Sequence, residues 1–549
     1  MRWALLAVLV VGLSAILVRG IRSGELSYNG EDEAQHAASG IFYASFLSDL
    51  PLRHPVEYAY HYYAQYPALS GVIHWPPLFY AFEGMIFLLL GPSVAAARFA
   101  ILLFALVALF CWVNLMRFLE NDRAAIASTI LFVLPALLLF EKSVMLEIPA
   151  LAVCLASTYF WVQFLQEGKT RDLYLSVFVG SLALLTKQSA VYLPLFWLLS
   201  LTVLGRWSLV SLRRFLWSSA ILVGMASTYY ALVYEVHWRS IAMDLFQKAS
   251  PAIGSPHLFY LRALPGQLGW PLLGLSLLGL ATCPWWAKRR TNPILMGCWI
   301  LAVYIVFTAI GHKEARYVID WVPPFVYFAV GPLTFAWRRL WLRAASLTLM
   351  AGLIGTFTLN AWSYQRPYIS GYEAAARRVL QLNSGGVVLF DGPDSSNFIF
   401  FMRALDPQRR FIVLDKALWV TRIKISGGAL ELAQSPQDIR NIIAKDGVQY
   451  SVVSQGVPLD FRDQQILRQV LTTPQFRLLA TFPIASNLPY WQGSSLLLYE
   501  NTEACPPSDP YLRIRMLTLS HDIVVPFQDY KFVEKESWKN CPRSIRSGE

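Results

Sequence analysis

Three consecutive carboxylates and a histidine, Glu31-Asp32-Glu33 and His36, follow closely on the apolar run Trp3 to Val18. Further on, Glu147, Lys187 and the stretch His312-Lys313-Glu314-Ala315-Arg316-Tyr317 also sit at the edges of apolar runs, and His74 and Arg262 lie in connecting segments. Ionisable groups beside apolar helices are costly unless they are paired or functional. Carboxylates close to cations suit transfer of a group from a phosphate-bearing donor. A carboxylate accepts the proton of an attacking hydroxyl, and cations stabilise the departing phosphate oxygen. Asp32 or Glu33 suits the first role; Lys187, Arg262, His312, Lys313 and Arg316 suit the second. Each residue also has a plainer reading. The acidic cluster is also what a solvated loop looks like, and Glu31 reads as solvated. Glu147 at a helix start is a ready macrodipole partner, and Lys187 is placed to snorkel. His312 to Arg316 also reads as an ordinary charged loop.

The functional reading requires that these residues share one side of a membrane. With 56% hydrophobic and only 15% charged residues in 549, and a mean hydropathy of +0.44, the chain reads as a polytopic membrane protein, since soluble domains carry about 25% charge. Spans need about 20 apolar residues, and basic loops face the cytoplasm. The apolar runs are Trp3–Val18, Val94–Met116, Ala124–Phe140, Val144–Leu165, Leu173–Leu185, Ala190–Leu204, Phe215–Tyr234, Pro265–Cys283, Pro293–Gly311, Val318–Trp337 and Ala344–Trp362, giving about 11 transmembrane helices. Arg2 and the basic residues at 117–123, 169–171, 206–214, 288–290 and 338–343 then fall on the N-terminal, cytoplasmic side. The candidate residues fall opposite. Leu78–Leu90, with Glu83 inside it, is short for a span and reads as a juxtamembrane helix in the outer loop 19–93. No small-residue cleavage site follows the first run, which reads as a retained anchor.

After Trp362 the pattern changes to short apolar runs at Gly385–Asp391, Phe411–Asp415, Val448–Val453, Phe476–Phe482 and Ser495–Tyr499. Helical patterns at Tyr372–Leu382, Asp438–Lys445 and Phe461–Leu471 alternate with them. The expected organisation is a membrane domain over 1–362 and a soluble α/β domain over 363–549, outside the cytoplasm by the parity of the spans. Cys505 and Cys541 are the two cysteines of that domain, and an oxidising compartment would let them pair. The net charge of +11 is accounted for by topology, without a nucleic-acid partner. A Walker A loop is missing, which argues against ATP as the energy source. No metal motif of known spacing occurs, and a divalent cation is left open as a cofactor.

Asp32-Glu33, His74-Trp75-Pro76-Pro77-Leu78, Met145-Leu146-Glu147-Ile148-Pro149, Leu185-Thr186-Lys187 and His312-Lys313-Glu314-Ala315-Arg316-Tyr317 together resemble the GT-C superfamily of integral-membrane glycosyltransferases. The branch most similar holds the protein O-mannosyltransferases and the lipid A aminoarabinose transferases. The resemblance implies inversion at the sugar carbon and a polyprenyl-phosphate-linked sugar donor. It also implies a glycan, lipid or protein acceptor, catalytic roles for Asp32, Glu33 and Glu147, and donor-phosphate contacts from Lys187, His312, Lys313, Arg316, Tyr317, His74 and Arg262. Here Glu147 stands where the family usually has Asp, and Trp75 where it has Lys or His. A bacterial cytoplasmic (inner) membrane location, with the α/β domain periplasmic, goes with this reading. The alternative is a secondary transporter or flippase of lipid-linked sugars, which would place charges at mid-membrane on broken helices and show inverted repeats.

Overall fold

The computed structural model describes residues 2–27, 31–68, 75–246, 255–335, 340–421, 429–517, 521–530 and 541, with side chains left out of the description at 2–6 and 232–246. Among the described residues, sixteen α-helices make up its first two thirds: α1 (Arg2–Val18), α2 (Asp32–Asp49), α3 (Pro55–Gln65), α4 (Leu78–Leu90), α5 (Val94–Leu119), α6 (Asp122–Ala127), α7 (Pro135–Glu141), α8 (Glu147–Glu167), α9 (Thr170–Leu184), α10 (Tyr192–Val203), α11 (Leu212–Phe246), α12 (Phe259–Leu268), α13 (Trp270–Trp286), α14 (Thr291–Ala309), α15 (Val322–Thr334) and α16 (Leu340–Ser363). Every apolar run expected to be a span is largely helical over its described residues. By length and apolarity, four helices among the described residues are able to cross a membrane unaided (α5, α8, α14 and α16), or six spans if two bent pairs each count as one. The protein is therefore a multi-pass membrane protein, although α9, α10 and α15, with 15, 12 and 13 residues, are shorter than a straight crossing needs.

Two of the expected spans are broken. Ala124–Phe140 becomes α6 with a short 3-10 turn, then α7, bent by 65° where Pro135 begins the new helix. Pro265–Cys283 is cut by a 112° bend at Gly269, which has φ +76° and is followed by Pro271. The span proper starts at Trp270, and Pro265 belongs to the helix before it. Proline lacks the N–H that would continue a helix, and glycine alone adopts this backbone without strain.

The outer loop folds rather than floats. Helix α2 crosses α4 at close range through Gly40 and Gly84: a Cβ on Gly40 would collide with the Glu83 carboxylate, and one on Gly84 would meet Ala44 N at 2.8 Å. This crossing fixes the start of α2, where Asp32 lies.

From Ile369 onward the chain is α/β. Its elements are β1 (Ile369–Ser370), α17 (Tyr372–Leu382), β2 (Gly386–Asp391), α18 (Ser395–Leu405), β3 (Phe411–Leu414), β4 (Trp419–Thr421), β5 (Ala429–Glu431), α19 (Pro436–Lys445), β6 (Val448–Gln455), α20 (Arg462–Leu471), β7 (Phe476–Pro483), β8 (Ala485–Ser486), β9 (Ser495–Asn501), β10 (Tyr511–Ile514) and β11 (Ile523–Pro526). The five expected strands form one sheet in the order β3-β2-β6-β9-β7. Strands β3, β2 and β6 run parallel, and β9 pairs antiparallel with both β6 and β7. Every residue of β2 is buried, which is why it reads as an unbroken apolar run. Helix α18 and the small hairpins β4-β5 and β10-β11 are additions to the expected set. Cys505 and Cys541 form a disulfide.

This α/β part rests on the outer loop. Gln65 donates to the carbonyls of Arg409 (2.7 Å) and Phe411 (2.9 Å), Arg403 donates to Ser45 Oγ (2.8 Å), and Arg409 pairs with Asp49 (2.6 Å).

Candidate functional site

Four helix starts or turns bring charged side chains together. Asp32 is the first residue of α2 and Glu147 the first of α8. Lys187 stands in the turn between α9 and α10, and Glu314 and Arg316 lie between α14 and α15. Arg316 is the centre. Its Nη1 donates to Asp32 Oδ2 at 3.0 Å, its Nε to Glu314 Oε2 at 2.5 Å, and Glu147 Oε1 lies 3.8 Å from Nε. Lys187 Nζ donates to the same Glu147 oxygen at 2.7 Å. Glu314 Oε1 also meets His312 Nε2 at 2.8 Å and accepts from Tyr317 OH at 3.4 Å.

The members differ in access. The side chain of Glu147 is 1% exposed, those of Lys187 and Arg316 are 6% and 10%, and that of Asp32 is 33%. Of the Asp32–Glu147 pair, Asp32 is thus the carboxylate that solvent reaches. Burial works against the Arg316 charge, but Glu147, Asp32 and Glu314 more than compensate and raise its pKa above the ordinary value. It stays a cation under all working conditions. A carboxylate at the water edge beside a buried, permanently charged guanidinium is suited to taking a proton while charge builds on a neighbouring phosphate.

His36, one helical turn after Asp32, adds a second layer to the cluster. Its Nδ1 is 2.6 Å from Tyr80 OH, and its ring lies 6.1 Å from that of Trp75. Burial lowers its pKa to about 4, so the imidazole is neutral near pH 7. Trp75 also faces Lys187, whose Nζ is 5.9 Å from its ring centroid. A backbone bond from Leu78 N to Leu185 O (2.9 Å) ties the start of α4 to the Lys187 turn. The helical spacing of Asp32 and His36 was the available sequence signal. Glu314 carried none beyond its place in the His312 to Tyr317 stretch, and Tyr80 carried none.

Other candidates point elsewhere. Glu33 is fully buried on the far side of Asp32. Its carboxylate meets Arg98 (3.4 Å) and Arg366 (3.3 Å) and accepts from Val144 N (3.1 Å) and Ser27 N (3.0 Å). Burial opposes its ionisation, yet the two arginines and the backbone donors hold its pKa below the usual carboxylate value. This is a structural anchor. Lys313 donates to the carbonyls of Phe307 (2.7 Å), Thr308 (2.7 Å) and Ile310 (2.5 Å) and so caps the end of α14. Helix C-termini leave such carbonyls unpaired and favour a cation. Arg262 is exposed on α12, and no contact among the described residues joins it to the cluster. His74 lies outside the described residues. Glu31 is not simply solvated: it accepts from Ser395 and Ser396 at the start of α18. A cavity of about 430 Å³ lies apart from the cluster, at Glu120, Asp122, Arg123 and Trp286.

The charged cluster, the apolar helices, the folded outer loop and the α/β part together make a membrane protein whose fold is like that of GT-C glycosyltransferases of known structure. Residues 74–242 match a family model described as dolichyl-phosphate-mannose-protein mannosyltransferase. The structure is similar to that of ArnT from Cupriavidus metallidurans bound to undecaprenyl phosphate, at 14% identity over 91% of this chain and 97% of that one, with a TM-score of 0.59. It is also similar to the oligosaccharyltransferase AglB from Archaeoglobus fulgidus in complex with an inhibitory peptide and a dolichol-phosphate, at 12% identity over 82% of this chain and 69% of that one, with a TM-score of 0.54. At these identities the shared property is the fold. A search of curated protein sequences finds no match.

Proposed function

We propose that the protein is an inverting glycosyltransferase that moves a sugar from a polyprenyl-phosphate donor to a glycan, lipid or protein acceptor on the outer face of a bacterial cytoplasmic membrane. The observation that carries this reading is the position of Arg316, bonded to the accessible Asp32 on one side and facing the buried Glu147–Lys187 pair on the other. The family model over residues 74–242 supports it. So do the two solved structures of the same fold, which hold undecaprenyl phosphate and dolichol-phosphate.

The acceptor hydroxyl attacks the anomeric carbon from the face opposite the phosphate. As the new carbon–oxygen bond forms, the bond from that carbon to the phosphate oxygen breaks and its electron pair stays with the lipid phosphate. Direct displacement inverts the centre. Asp32 takes the hydroxyl proton, and Arg316, Lys187 and His312 face the departing phosphate. Removing one such charged donor typically costs a factor of about 10² to 10³ in rate. Glu147 holds Lys187 and Arg316 in place and helps keep Arg316 charged. No nucleotide is needed, because the phosphate ester already supplies the leaving group. By the parity of the basic loops the N-terminus is cytoplasmic, which puts domain 363–549 in the periplasm and the lipid tail among the spans.

The test is to incubate membranes containing the protein with a panel of labelled polyprenyl-phosphate sugars and to follow label into acceptors. Transfer from one donor, with release of lipid phosphate and inverted anomeric configuration, is expected. Transfer from none of them, or donor flipping without bond cleavage, rejects the enzyme in favour of a flippase.

A further inference from the structure

The α/β part lacks its own caps at two helix starts. Helix α17 begins after Gly371, which has no side chain to offer, and the N-cap Asp394 of α18 makes no capping hydrogen bond. Both vacancies are filled from the outer loop of the membrane part. Glu25 accepts from the backbone N–H of Gly371 (2.9 Å), Tyr372 (3.1 Å) and Glu373 (3.0 Å), and from Asn397 Nδ2 (3.1 Å). Glu31 accepts from Ser395 N (3.0 Å) and Oγ (2.9 Å) through one oxygen, and from Ser396 Oγ (3.0 Å) and Gln35 Nε2 (3.1 Å) through the other. Free N–H groups and the positive end of a helix favour a carboxylate at this position.

The two anchors bracket the approach to Asp32, and Glu31 is its immediate neighbour as N-cap of α2. On the other side, Glu33 is tied to Arg98 and Arg366. Of the four carboxylates at positions 25, 31, 32 and 33, three are held in the protein frame, and Asp32 alone turns to Arg316. From this arrangement, and resting on the transferase reading above, we infer that Glu31 is a positioning residue. Its latch on Ser395 and Ser396 lets the α/β domain set the place of the catalytic base. The domain thereby acts on turnover through the first turn of α2, without touching the reacting atoms.

A displacement of about 1 Å at a reacting group is enough to cost on the order of 10²-fold in rate. The test compares Glu31→Ala, the pair Ser395→Ala/Ser396→Ala and the triple variant, with Glu31→Gln as the conservative control, in full-length protein. Initial rates, melting temperature and hydrogen exchange over residues 31–40 are measured. The expected result is a kcat lower by about 10- to 100-fold in Glu31→Ala and in the serine pair, with little change in donor KM. The triple variant is expected to be little worse than Glu31→Ala, because the serine pair removes two hydroxyls that donate to Glu31, while the Ser395 N–H that also donates to it survives in Ser395→Ala. Glu31→Gln, whose amide oxygen still accepts from Ser395, recovers most of the rate, and exchange at the start of α2 quickens in the serine pair. Wild-type kcat and exchange in the serine pair overturn the inference, as do losses of rate and melting temperature that add in the triple variant. If Glu31→Ala fails to fold, the serine pair decides alone. Wild-type protein that transfers no sugar fails the transferase reading itself, whereas active wild type with unaffected variants fails only the latch.

Discussion

Asp32 and Glu33 are adjacent carboxylates with opposite surroundings, and replacing Glu33 tests that contrast. Glu33 is 0% exposed and is shared between two buried arginines, Arg98 at 3.4 Å and Arg366 at 3.3 Å, while satisfying the N–H groups of Ser27 and Val144. Glu33→Ala leaves both guanidinium groups without a counter-charge in a closed space. Breaking a buried pair by removing one partner costs about 3 to 5 kcal/mol, or roughly 2.2 to 3.7 decades in the folded-to-unfolded ratio. Loss of the two backbone acceptors adds to this. The lowered pKa gives the pH sense. A carboxylate whose folded pKa is depressed contributes stability that is present above its unfolded pKa and is lost as pH falls through the folded value. The assay is the yield and melting temperature of monodisperse protein in detergent, for Glu33→Ala and Asp32→Asn side by side. Glu33→Ala is expected to fall sharply in both and Asp32→Asn to match the wild type. A Glu33→Ala protein with wild-type stability and no turnover would refute the structural role and make Glu33 part of the chemistry.

Lys187→Met removes the cation 2.7 Å from Glu147 and is expected to lower kcat by about 10²- to 10³-fold; initial-rate measurements over a donor titration check this, and an unchanged rate would remove Lys187 from the phosphate site. His36 has a folded pKa of about 4 because it is buried. The unfolded state therefore binds the extra proton between about pH 6.5 and pH 4, and stability drains away as pH falls through that window, by up to about 3 kcal/mol. Melting temperatures of wild type and His36→Gln from pH 7 to pH 4 should differ in slope in this sense, and parallel curves would contradict it.

The sequence made the architecture legible because its strongest signals are cheap to read. Long apolar runs and short buried strands declare themselves by length and composition, and Ala344–Trp362 and Tyr372–Leu382 sit almost where the structure has α16 and α17. The bends at Pro135 and Gly269 were harder, since an apolar run looks continuous across a break that local backbone chemistry imposes. At the site, the residue types that gather on Arg316 could be named from their positions beside apolar runs. Their orientation was another matter. Asp32 and Glu33 follow one another on a helix and so point about 100° apart, and no local pattern says which meets Arg316 and which meets Arg98. Lys313 lies in the loop before the 3-10 turn that carries Arg316, so no helical period relates the two. Glu31 was illegible for a different reason: its partners, Ser395 and Ser396, are more than 360 residues away.

The central claim is that Asp32 takes the proton of the attacking hydroxyl. Asp32→Asn keeps the shape of the side chain but replaces the basic oxygen pair with an amide. In the labelled polyprenyl-phosphate sugar assay it is expected to lose about 10²- to 10⁴-fold in kcat, the usual contribution of a positioned base, with wild-type melting temperature and donor affinity within a few-fold. Sugar transfer at the wild-type rate by folded Asp32→Asn protein would contradict the account.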